Sequence, residues 1–88
     1  MPVAWIPSLM KKLTDGKSQI EVEGETVRQV IENLDAVFPG FRARLCTEDG
    51  RLKPEIAVAI DGEVTVDGLR TPVEKRSEVH FLPALAGG

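Results

Sequence analysis

An α+β fold, a mixed sheet with one helix packed across it, is what this 88-residue sequence predicts. Three observations carry the prediction. Apolar residues alternate with polar ones at Ile20-Glu21-Val22 and again at Val79-His80-Phe81, the period of a half-buried strand. Between these segments the period becomes 3.6: Val27, Val30, Ile31 and Leu34 stand at i, i+3, i+4 and i+7, one stripe of an amphipathic helix. Turn residues punctuate the chain at Asp15-Gly16, Glu48-Asp49-Gly50 and Asp61-Gly62.

The elements follow in order. Val3 to Leu9 is apolar and predicts a first strand that ends at Pro7, which has no N–H to give a ladder. Thr14-Asp15-Gly16 then predicts a hairpin turn, with Lys17–Glu23 returning as the second strand. Thr26 is a suitable N-cap, and Gln29 three residues on completes a capping-box pattern. The helix is expected to end before Pro39-Gly40, with Phe41 and Leu45 anchoring a further helical turn. Ile56-Ala57-Val58-Ala59-Ile60 predicts a central strand, branched side chains on one face and small ones on the other. Asp61-Gly62 turns it into a return strand through Val64 and Val66. Gly68 to Pro72 is read as a loop, and Glu78 to Leu82 as the last strand, running beside the first so that the sheet closes over Trp5 or Ile6 and Phe81. The ββαββ pattern, with a free tail leaving the last strand, is that of a β-grasp domain. Residues 1–83 are its body and residues 84–88 its tail.

Composition narrows the function. The chain is long enough for one small core, and 42% hydrophobic with 28% charged residues suits a folded, soluble domain. Eleven basic against 14 acidic residues give a net charge of −3, with no Lys/Arg run beyond Lys11-Lys12 and Lys75-Arg76. This counts against a nucleic-acid partner and favours a partner with a basic docking face. No apolar run nears the roughly 20 residues that span a bilayer, so no membrane partner is expected. Met1-Pro2-Val3-Ala4-Trp5 lacks the charged start of a signal peptide, and the single Cys46 has no internal disulfide partner. The expected compartment is the cytoplasm.

Few side chains offer chemistry of their own. His80 is the only histidine, without a second ligand at metal spacing, so no metal site is expected and its better use is in a docking patch with Leu82. Cys46 lacks a second Cys and an activating base, and reads as a small, partly buried residue near a helix end. Glu21, Glu23 and Glu25 read as a solvated surface before a basic-partner contact. No phosphate loop exists, so any ATP is bound by another protein. The end of the chain is more telling. Gly87-Gly88 has no Cβ, so it can lie extended in a narrow groove that rejects side chains. Four extended residues reach roughly 13 Å, far enough to carry a terminal carboxylate into another protein's active site. The bland alternative is a frayed terminus.

The helix opening Gly24-Glu25-Thr26-Val27-Arg28-Gln29-Val30-Ile31-Glu32-Asn33-Leu34, the Phe38-Pro39-Gly40 after it, and above all Glu78-Val79-His80-Phe81-Leu82-Pro83-Ala84-Leu85-Ala86-Gly87-Gly88 resemble the ubiquitin-like sulfur carriers of the MoaD/ThiS family. Asp67-Gly68-Leu69-Arg70-Thr71-Pro72-Val73 and the Pro-Ala-Leu-Ala-Gly-Gly ending look most like the branch that feeds cysteine synthesis, although Glu74-Lys75-Arg76-Ser77-Glu78 departs from the Asp-Gly-Asp type of turn of many relatives.

The resemblance implies a protein substrate and sulfur donor, not an enzyme. An E1-like adenylating partner would use ATP and Mg²⁺ to activate the Gly88 carboxylate, and a sulfur nucleophile would replace AMP to leave a thiocarboxylate. The carrier itself would bind no cofactor. Its sulfur would pass to a biosynthetic enzyme such as a cysteine synthase or the large subunit of molybdopterin synthase. Gly87, Ala86 and Leu85 would guide the tail, with His80 and Leu82 contacting the partner. The competing expectations are a small subunit of molybdopterin synthase, a modifier joined through Gly88 to lysines, and a plain β-grasp binding module.

Overall fold

The computed structural model describes residues 1–84. Strands β1 (Val3–Trp5), β2 (Gln19–Glu21), β3 (Ile56–Ile60), β4 (Glu63–Val64) and β5 (Glu78–Pro83) form one sheet in the order β2-β1-β5-β3-β4. β1 and β5 run parallel and the other neighbours antiparallel, so the sheet is mixed. The expected pairing of first and last strands is present: Val3 lies opposite Glu78, Ala4 opposite Val79, and Trp5 opposite His80. β3 is an interior strand as expected, but the middle position belongs to β5.

Helix α1 (Val27–Val37) starts and stops where its residues require. Gln29 N–H donates to Thr26 Oγ1 at 3.2 Å, satisfying one of the amides left over at the helix start. Gln29 Oε1 accepts in return from Glu25 N–H at 2.8 Å, one residue ahead of the partner a capping box uses. Val27, Val30, Ile31 and Leu34 are buried against the sheet residues Ala4, Val58, Val79 and Phe81 in one core. After Pro39, helix α2 (Phe41–Leu45) buries Phe41 and Leu45 in the same core. Asp35 Oδ1 joins the helices by accepting from Gly40 N–H (3.0 Å) and Arg42 N–H (3.1 Å).

The connections differ most from expectation. The first strand stops at Trp5, and a 3-10 helix over Ser8–Thr14 replaces the tight hairpin. Pro7 O accepts from Met10 N–H at 2.9 Å, and the turn so opened buries Met10 and Thr14. The second strand is correspondingly short, although Ile20 is half-buried and Val22 buried as its alternation predicted. Asp61 and Gly62 do make the two-residue turn between β3 and β4, with φ of 51° and 90°, the left-handed geometry such hairpins need. β4 ends at Val64, leaving Val66 outside the strand and exposed. Within the expected loop, Gly68–Arg70 forms a 3-10 turn that places Leu69 in the core.

Candidate docking face and tail exit

Pairing register decides which side chains share the face of the sheet away from the helices. In β5, Val79 and Phe81 enter the core, so Glu78, His80 and Leu82 project to the other side. Their partners across the strands project with them: Trp5 beside His80, Ala59 beside His80 on the opposite flank, and Ala57 beside Leu82. Val64 on β4 extends the same row through its pairing with Ala59. The result is a low floor of alanines flanked by Trp5, His80, Leu82 and Val64. Val64 and Leu82 are exposed, at 64% and 38%.

His80 is held in this face by two residues, Trp5 and Glu78, which also bond to each other. Its ring stacks on Trp5, with centroids 5.0 Å apart and planes 12° from parallel. Its Nε2 lies 3.7 Å from Glu78 Oε1, an ion pair when the imidazole is protonated. The same carboxylate oxygen accepts from Trp5 Nε1–H at 2.9 Å. None of the five strands carries a Lys or Arg, while Glu21 and Glu78 both fall on this face. The surface is therefore apolar at its middle and acidic at its margin.

Of the predicted site residues, His80 and Leu82 are brought together here. Trp5 was the ambiguous one: Ile6 enters the core, and Trp5 stands on the outer face. The signal was available in the alternation of Val3 and Trp5 against Ala4 and Ile6, once β1 is placed beside β5. Leu85, Ala86, Gly87 and Gly88 lie outside the described residues. The body's last rung before them is Ala84 N–H donating to Glu55 O at 2.8 Å.

Cys46 is free and buried at the end of α2. Burial raises its thiol pKa from an ordinary 9.0, with Arg42, Arg28 and Lys53 pulling the other way. It lines an open cleft of about 290 Å³ with Arg28, Glu32, Arg42, Asp49 and Leu69. That cleft lies on the helix side, and its mixed charges point to no ligand class. Among the described residues no cluster of three His, Cys, Asp or Glu side chains is placed to hold a metal ion, and no helix is long and apolar enough to cross a membrane.

A mixed five-stranded sheet with a helix packed across one face and the chain's C-terminal end leaving its central strand is the β-grasp of the ubiquitin-like class of small domains. Within it this chain belongs to the ThiS family, which its residues 7–88 match. The sulfur carrier protein CysO of Mycobacterium tuberculosis is 30% identical over 87 residues, covering 94% of each chain. A chain in the crystal structure of the Amycolatopsis orientalis BexX/CysO complex superposes with a TM-score of 0.90 at 30% identity, over 100% of both chains. The small archaeal modifier protein 1 of Methanosarcina acetivorans has a TM-score of 0.77 at 21% identity, over 99% of this chain and 95% of that one, and shares the fold alone.

Proposed function

We propose that this chain is a sulfur carrier whose C-terminal glycine is the reactive group. The observation that supports it most is the whole-length likeness to CysO sulfur carriers, in sequence and in fold, of a chain ending in Gly87-Gly88. The partner in this reading is an E1-like adenylating enzyme, which binds ATP and Mg²⁺; the carrier binds neither. The Gly88 carboxylate attacks the α-phosphorus of ATP and pyrophosphate leaves, giving an acyl-adenylate. A hydrosulfide equivalent from a sulfur donor then attacks the acyl carbon. As the carbon–sulfur bond forms, the bond to AMP breaks, and a thiocarboxylate remains.

The chain's own contribution is binding and presentation, so it acts as a substrate of other enzymes. Trp5, His80 and Leu82 dock the partner, and the acidic margin at Glu21 and Glu78 meets a basic rim on it. Gly87 and Gly88 pass through a groove too narrow for a Cβ, behind Ala86 and Leu85. The acceptor we assign is an enzyme of cysteine biosynthesis, and the compartment is the cytoplasm, where ATP is at hand. Service as a small subunit of molybdopterin synthase is the second reading, favoured by an ending which that subunit shares.

Intact mass tests the proposal. The chain is incubated with ATP, a sulfur donor and its host's adenylating enzyme. A gain equal to exchanging one oxygen for sulfur, mapped to Gly88, supports the carrier. No gain, with that enzyme active on another carrier, refutes it.

A further inference from the structure

The segment that replaces the tight hairpin after β1 carries a charge opposite to that of the outer sheet face. Over Ser8–Thr14 the chain is a 3-10 helix, in which residues three apart eclipse one another. Met10 and Leu13 share its inward row: Met10 is buried in the core, and Leu13 packs against that core beside Gly40. Leu9 and Lys12 share an outward row, and both are exposed, Leu9 at 85%. Arg44 reaches across from α2, its Nη2 donating to Leu9 O at 3.3 Å, which sets an exposed guanidinium beside this row. The far end of the segment is held as firmly. The buried Thr14 hydroxyl donates to Lys17 O at 2.8 Å, and Gly16 N–H donates to Lys11 O at 2.8 Å. Leu9 thus stands between Lys12 and Arg44, with Lys11 and Lys17 further along. Asp15 is the one carboxylate of residues 8–17, and none of the four cations is in an ion pair with a carboxylate of the described residues.

We infer that this patch is a second docking surface, taken by the sulfur-accepting enzyme through an apolar pocket rimmed with carboxylates. The inference rests on the sulfur-carrier reading for the identity of the occupant. Charge separates this occupant from the adenylating enzyme. The five strands carry no Lys or Arg, and Glu21 and Glu78 mark the margin of the outer face, so the enzyme that docks there presents a basic rim. The same rim is repelled by Lys12 and Arg44, and like charges set together across an interface exclude the wrong partner. Two enzymes that handle the carrier in turn are thereby each met by a surface of opposite sign to their own. An acidic protein is favoured over nucleic acid as the occupant, because the whole chain carries a net charge of −3.

Titration calorimetry of the chain, in its carboxylate form, against the host's cysteine synthase tests the patch with no sulfur chemistry. Leu9→Asp together with Lys12→Glu is expected to raise that Kd by ~10-fold or more, and to leave the Kd for the adenylating enzyme within about twofold. Both side chains are exposed, so the fold is expected to survive. If the double variant does not fold, Arg44→Gln carries the same comparison, with a rise of about threefold or more for the synthase alone. An unchanged Kd for the synthase, no binding by the unaltered chain, or an equal loss with both enzymes overturns the inference. Self-association that Leu9→Asp abolishes in sedimentation overturns it too, by giving the patch to a second copy of the chain. So does binding of a labelled oligonucleotide at physiological salt that Lys12→Glu abolishes. Absence of sulfur gain at Gly88 would instead sink the carrier reading, and leaves the two Kd comparisons to be judged by themselves.

Discussion

The Trp5 indole lies flat on the His80 imidazole, with ring centroids 5.0 Å apart and planes 12° from parallel. Parallel pairing of β1 and β5 sets the two residues directly opposite. Glu78, two residues before His80 and so on the same face, accepts the Trp5 indole N–H. The three side chains hold one another in place, and a side-chain cluster ordered in this way loses less entropy when a surface is laid on it.

If this face docks the adenylating partner, its aromatic and aliphatic anchors carry most of the affinity. Trp5→Ala and Leu82→Asp are each expected to raise the Kd by ~10-fold or more, in the range of interface anchors. Trp5→Phe keeps a ring on His80 but loses the bond to Glu78, and should fall between. Val37→Ala, at an exposed site on α1, serves as the control. Titration calorimetry with the partner reads all four, and a Kd within twofold for both anchor variants would remove this face as the docking site.

Gly24 is where backbone approach leaves no space. A Cβ there would lie 2.8 Å from both Val30 Cγ2 and Val30 N, and Val30 is itself fully buried. Gly24→Ala must push α1 away from the strand exit, at a cost of about 2–3 kcal/mol. For a domain of this size that lowers the Tm by roughly 10–20 °C. Calorimetry showing a Tm within a few degrees of the unaltered chain would contradict the close packing.

What the sequence revealed in advance was mostly local. Thr26 and Gln29 announce a helix start because the cap bonds run between residues three or four apart. Asp61-Gly62 announces its hairpin because few other residues accept that backbone. The first and last strands were also placed together, since a sheet with fewer exposed edges is favoured. The connection Ser8–Thr14 was missed because its turns are stabilised by what Met10 and Thr14 bury, not by propensity. Trp5 was left undecided for a related reason: its face depends on pairing with a residue 75 positions away.

Cys46 gives the fold an alkaline limit. Burial raises the thiol pKa in the folded chain above its ordinary 9.0. The folded state therefore holds the proton more tightly than the unfolded one. The associated stability is complete below pH 9.0 and is lost as pH rises through the raised value. Cys46→Ala should flatten the fall of unfolding free energy above that pH, despite a small cavity cost at neutral pH. At pH 7 the thiol should also react slowly with alkylating reagents until the protein is unfolded. Alkylation of the folded chain at the rate of a free thiol, or parallel alkaline profiles for the two proteins, would show that burial does not govern this group.

Removal of Gly88 separates stability from chemistry. Among the described residues every core side chain lies at or before Phe81, and the last described rung is that of Ala84 with Glu55. Deleting Gly88 removes neither, so the Tm is expected to stay within ~1 °C, well below the 4–8 °C that a loss of about 1 kcal/mol brings in a domain this small. The same deletion moves the carboxylate back by one residue, about 3.3 Å, and ends partner-dependent pyrophosphate release if Gly88 is the reactive terminus. Both quantities are measured on one preparation. A Tm lower by several degrees would mean that the tail packs on the body. Full activation without Gly88 would leave a β-grasp binding module with an inert end.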